Sequence, residues 1–142
     1  NGEIEILEPR QGTHVTDPKN PKDTKILDGE PAISATPYAQ IAIYRAIVNS
    51  GNIPFSHTSG FGFTSPTDIY YQVDSEKTLQ EALNNKTGYV YVFNKTDFAP
   101  YNRDSKPTDE DMEWRSYHAV KPVEVIKVTS ADLPPLEEIK IY

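Results

Sequence analysis

The segment PAISATPYAQIAIYRAIVNSGN, residues 31–52, constrains the fold more than any other part of the chain. It prescribes a strand, a sharp turn and an amphipathic helix in one uninterrupted stretch. Ala32 to Ala35 reads as a short buried strand. Thr36 suits a helix N-cap, and Pro37 suits the first helical position, where the N–H it lacks would be unpaired anyway. Ala39, Ala42, Ile43, Ala46 and Ile47 recur at the spacing of one helical face, and Ile41 and Val48 widen that stripe. Gly51 ends the helix, because glycine enters the left-handed conformation without steric cost. The spacing therefore predicts a helix over 37–50, with small alanines that let it lie close against a sheet.

The flanking sequence supplies strands. GEIEILEP alternates Ile4 and Ile6 with Glu3 and Glu5 and predicts a short half-buried strand ended by Pro9. Residues 10–30 are dense in turn formers and read as an ordered excursion without regular structure. Gly60, Gly62, Ser65 and Pro66 predict a loop, in which Phe61 and Phe63 cover a core edge or line a pocket. A strand follows over Asp68 to Val73. Asp74 or Ser75 can cap a second helix over EKTLQEALNN, with Leu79, Ala82 and Leu83 on one face. Tyr89, Tyr91 and Phe93 alternate with Val90 and Val92, which reads as a central strand covered on both faces. An acidic loop, APYNRDSKPTDEDME, comes next. A long alternating run broken at Pro122 and a last strand, EEIKIY, complete the pattern. The sum is an α+β fold with two helices and a mainly antiparallel, strongly twisted sheet of about six strands. At 142 residues, the chain is expected to form a single domain over 1–142.

Composition narrows the function. Cysteine is absent, which excludes disulfides, cysteine nucleophiles and thiolate metal sites. A net charge of -7, with pI near 4.9, makes nucleic acid an unlikely partner, since phosphate binding needs clustered cations. Lys19, Lys22 and Lys25 form a basic patch, but prolines and aspartates interrupt it. Twelve prolines and a mean hydropathy of -0.60 imply long ordered loops. No apolar run reaches the roughly 18 residues of a membrane span, and the opening NGEIEILEPR does not have the form of a signal peptide, so no membrane partner and a cytoplasmic location are expected. Asp104, Asp109, Glu110, Asp111 and Glu113 do not have the glycine-centred spacing of a calcium loop, and no metal is expected. Asn85-Lys86-Thr87 and Asn94-Lys95-Thr96 match the glycosylation sequon, which matters only in a secreted eukaryotic protein. Trp114, the one tryptophan, reads as a core anchor at the head of a strand. His118 reads as a half-buried strand residue, and neither it nor His57 has the context of a hydrolase triad.

Two short marks carry a family resemblance: Ser34-Ala35-Thr36 at a strand end before a helix, and Asp111-Met112-Glu113 at the head of an alternating strand. In this order they resemble the ADP-ribosyltransferase superfamily. That family has an Arg or His on its first strand, Ser-Thr-Ser on its second conserved strand, and Gln/Glu-x-Glu on a later one. The resemblance implies an ADP-ribosyltransferase-like fold, NAD or a related nucleotide as ligand, and a protein acceptor or a nucleotide small molecule as partner. It makes Glu113 the key carboxylate beside the ribose, Asp111 the second acid that handles an acceptor, and Ser34, Thr36 and Tyr38 the groups that position the nucleotide.

The chain departs from the family pattern at two places. Ala35 stands where the family has threonine, and no clear first-strand Arg or His is present, with Arg10 and His14 as substitutes. Three readings stay open: an NAD-dependent transferase, a catalytically silent binding domain of the same architecture and of bacterial or phage origin, and an unrelated structural α+β domain. The first two require the strands of Ser34 and Glu113 to be neighbours.

Overall fold

The structure is a computed structural model that describes residues 5–10, 13–15, 25–27, 30–65 and 68–142. Among these it is α+β, with helices α1 (Ala39–Ile47) and α2 (Glu76–Ala82) and ten short strands. The strands are β1 (Thr13–Val15), β2 (Lys25–Leu27), β3 (Ile33–Ala35), β4 (Ser59–Ser65), β5 (Asp68–Val73), β6 (Thr87–Val92), β7 (Ala99–Tyr101), β8 (Glu113–Ser116), β9 (Glu124–Thr129) and β10 (Ile139–Ile141). They form four small sheets rather than one of six strands: β1-β2, β10-β5-β4, β3-β8-β7 and β6-β9. Pairing is antiparallel in β1-β2, β4-β5, β3-β8 and β7-β8 and parallel in β10-β5. Among the described residues, no helix is long and apolar enough to cross a membrane.

The chain divides into two compact units. The first comprises Ala39–Val90 and Ile126–Tyr142, the second Gly2–Tyr38 and Tyr91–Val125.

The first unit is organised by α1, which buries Ile41, Tyr44 and Ile47 at a spacing of three. This stripe is rotated from the alanine-centred one predicted, because the bulky Tyr44 removes more apolar surface from water than Ala39 or Ala42 can. The Tyr44 ring lies 5.0 Å from Tyr71 and 6.5 Å from Phe61, and its hydroxyl donates to the Gln72 carbonyl at 2.8 Å. The alanines do permit close approach, since a Cβ on Gly88 would come within 2.2 Å of the Ala46 carbonyl oxygen. Helix α1 starts at Ala39, not Pro37, and its end does not use a left-handed Gly51. Instead the Asn52 amide donates to Ile47 and Ala46 carbonyls, and Asn49 Oδ1 accepts from the Gly51 and Asn52 amides. Ser75 caps α2 by accepting from Thr78 N at 3.2 Å, as the sequence predicts, and left-handed Asn85 (φ 52) lies three residues after its last turn.

The second unit is built on the sheet β3-β8-β7, extended by isolated bridges Arg10–Ala32 and Leu7–Val120. Trp114, Ile33 and Val120 are buried.

Several sequence expectations are corrected. The piece expected as a strand near residues 3–8 contributes only the Leu7 bridge, with Glu3 and Ile4 outside the described residues. The excursion at 10–30 contains the pair β1-β2, although most of it lies outside the described residues. The glycine-rich stretch is strand β4, whose Gly62 lies against the Tyr70 ring where a Cβ would not fit. The strand expected to be central, β6, pairs among the described residues with β9 alone and leaves Tyr89 37% exposed. Pro122 separates β8 from β9, and His118 is exposed in the intervening bend.

Burial raises the Tyr44 phenol above its ordinary range, and Tyr71 is raised for the same reason. The folded state therefore keeps a proton that the unfolded chain releases near pH 10, so this stabilisation is full below about pH 10 and is lost as pH rises beyond it. Tyr44→Phe is expected to cost about 1 kcal/mol at pH 8 through its lost hydrogen bond. In urea melts, that difference from the parent should shrink between pH 8 and pH 11. A constant difference would contradict the assignment.

Candidate functional site

The site is built on β8, whose sequence EWRS alternates between two environments. Successive side chains in a strand point to opposite faces, so Glu113 and Arg115 share one face while Trp114 and Ser116 share the other. Antiparallel pairing sets Ser34 of β3 opposite Arg115 and Tyr101 of β7 opposite Glu113. Four chemistry-bearing side chains thus meet on one face of three strands.

Their geometry is tight. Ser34 Oγ donates to Glu113 Oε2 at 2.7 Å, and Arg115 Nε donates to the same oxygen at 2.6 Å. The Arg115 guanidinium stacks 3.6 Å from the Tyr101 ring centroid. The Arg115 side chain is only 4% exposed, whereas that of Glu113 is 36% exposed. The carboxylate therefore bridges a buried cation and the surface. Among the described residues, Glu113 Oε1 takes no hydrogen bond, so one oxygen is held twice and the other is open to a donor.

The remaining predicted residues have other occupations. Thr36 Oγ1 accepts from Tyr38 N at 3.2 Å, which closes a turn three residues before α1 instead of capping the helix. The Tyr38 hydroxyl donates to the Glu110 carbonyl at 2.8 Å and so fastens the acidic loop. Asp111 is engaged within that loop, its two oxygens accepting from Asn102 Nδ2 at 2.9 Å and Thr108 N at 2.7 Å. Arg10 pairs through its backbone with Ala32, two residues from Ser34, and its side chain is exposed. His14 lies in β1, and its side chain is outside the described residues. On the opposite face of β8, the Lys95 ammonium sits 4.7 Å from the Trp114 ring centroid, and the buried Trp114 Nε1 has no hydrogen-bond partner among the described residues.

Arg115 is the residue that sequence reasoning missed. Its signal was present in Glu-x-Arg at the head of an alternating strand, because that spacing alone places both charges on one face. Tyr101 left no comparable signal, since β7 is three residues long and sits in a stretch rich in turn formers. His57, hydrogen-bonding distance from the Phe55 carbonyl, belongs to the first unit. So does a surface depression of about 460 Å³ lined by Lys77, Gln80, Glu81, Leu83 and Asn84, where the chemistry described above has no part. Among the described residues, no group of three or more His, Asp or Glu side chains is placed to hold a metal ion.

A double-mutant cycle on Glu113→Gln and Arg115→Met measures the pair. Because one partner is buried and the other half-exposed, the coupling is expected to lie between surface and buried ion pairs, at about 1–2 kcal/mol in urea melts. Additive effects would mean that the two side chains do not hold one another.

Comparison with protein-family models, curated proteins and solved structures finds no match to this chain, so the functional reading rests on the geometry of this face and on the sequence resemblance.

Proposed function

We propose that the second unit binds NAD or a related nucleotide in the manner of an ADP-ribosyltransferase-like domain, with Glu113 as its key carboxylate. The observation that carries this reading is the 2.7 Å hydrogen bond from Ser34 to Glu113, made between residues 79 positions apart. It joins the two marks on which the resemblance rests. A carboxylate fixed through one oxygen offers the other to a hydroxyl donor such as a ribose. Its negative charge also favours the positive charge that develops on a sugar as a glycosidic bond breaks. Ser34 orients the acid. Thr36 and Tyr38, half-buried beside it in sequence, shape the turn that follows β3.

One observation favours the catalytically silent form of this reading. Arg115 lies 2.6 Å from the same carboxylate oxygen and offsets much of its charge, which weakens stabilisation of a cationic transition state more than it weakens hydrogen bonding to a hydroxyl. Asp111 would have to release two hydrogen bonds within its loop before it could handle an acceptor. Binding without rapid turnover fits both features.

Titration calorimetry of NAD into the parent protein and into Glu113→Gln, followed by assay for free nicotinamide over hours, tests the proposal. Heat from the parent protein is expected, with any nicotinamide slow to accumulate and abolished in Glu113→Gln, because the amide keeps the shape without the charge. Heat without nicotinamide supports the silent binding domain. No heat and no nicotinamide overturn the nucleotide reading.

A further inference from the structure

We infer that Arg115 is the positioning residue of this site: it fixes the plane of the Glu113 carboxylate from beneath, so that Oε1 faces the ligand as a single acceptor. This deepens the reading of Glu113 as the ligand-facing acid and rests on it. Several observations lead there. Arg115 cannot touch a ligand itself, since its side chain is 4% exposed. It reaches Glu113 along its own strand, where the two-residue spacing puts both on one face, and its Nε lies 2.6 Å from Oε2. The Tyr101 ring, 3.6 Å from the guanidinium carbon, supports the planar group against the sheet. Ser34 Oγ completes the arrangement at 2.7 Å from the same oxygen.

Two donors on one oxygen decide the orientation of a carboxylate. Either alone leaves the group free to turn about its last bond, whereas both together turn Oε2 toward the sheet and Oε1 away from it. The Arg115 bond is charge-assisted and part-buried whereas the Ser34 bond is exposed, so it is the stronger of the two. The chain thus supplies a cation to its site from the strand that carries the acid, at a position where sequence comparison with the transferase pattern would not seek one.

The test has one readout that needs no nucleotide. Coupling of carboxylates to a small amine by a water-soluble carbodiimide, followed by peptide mass spectrometry, gives the rate at Glu113 relative to Asp104 and Asp109, exposed acids of the same chain. Arg115→Met should raise the relative rate at Glu113 by roughly tenfold, the scale of one lost charge-assisted hydrogen bond. Arg115→Lys, which keeps the charge but cannot reproduce the stacked planar group, should fall between the two. An unchanged rate in both variants overturns the proposal. Should Arg115→Met fail to fold, Arg115→Lys decides alone, with a rate raised twofold or more in support and an unchanged rate against. NAD calorimetry on the same proteins separates the two claims: weakened binding in Arg115→Met supports both. Altered labelling with no NAD binding even in the parent protein leaves the positioning role standing and removes the nucleotide reading.

Discussion

The register of β3 on β8 is the constraint on which the rest of the site depends. With Ser34 opposite Arg115 and Ala35 opposite Trp114, the serine lies on the same face as the acid and the two reach one another. Because side chains alternate along a strand, a slip of one residue would turn Ser34 toward the Trp114 face and dissolve the cluster. The register is held by burial: Ile33 and Trp114 are both nearly inaccessible, and moving either to the opposite face would expose a large apolar side chain. Packing on one face of β8 thereby fixes the chemistry on the other. The loop from Asn102 to Asp111 adds a second restraint, since its internal hydrogen bonds deliver the chain to Glu113 at a fixed point.

Electrostatics then set what the cluster can do. A guanidinium as buried as Arg115 must be compensated, and Glu113 stands at the boundary where it can compensate while still meeting solvent. Glu113 therefore serves the packing of a buried cation as well as any ligand. The same pairing lowers the field that Glu113 can exert on a cation. A site of this kind favours hydrogen bonding to neutral hydroxyls over fast cleavage chemistry, which is the physical basis for setting binding ahead of turnover.

The legible parts of the sequence were those with a repeating period or a specific cap. Helix α1 followed from its apolar spacing and α2 from Ser75, and β5 and β10 fell where strands were expected. What failed had a physical cause in each case. The glycines of β4 mimic a loop, yet Gly62 is small because Tyr70 lies against it. β7 is too short for alternation to show, and β6 looked central because tyrosines on one face alternate with valines on the other, although among the described residues it pairs with one strand. Ser34 and Glu113 could be named from the resemblance, but their distance depends on pairing between segments 79 residues apart, which no local pattern encodes. Arg115 was readable from its spacing and was overlooked in favour of a basic residue sought near the start of the chain.

The central claim is the register, and nuclear magnetic resonance tests it most directly. In an isotopically labelled sample, cross-strand Overhauser contacts are expected between the backbones of Ser34 and Arg115, of Ala35 and Trp114, and of Tyr101 and Glu113. Contacts pairing Ser34 with Trp114 instead, or no contact between residues 33–35 and 113–116, would contradict the account, because Ser34 and Glu113 could then not share a face.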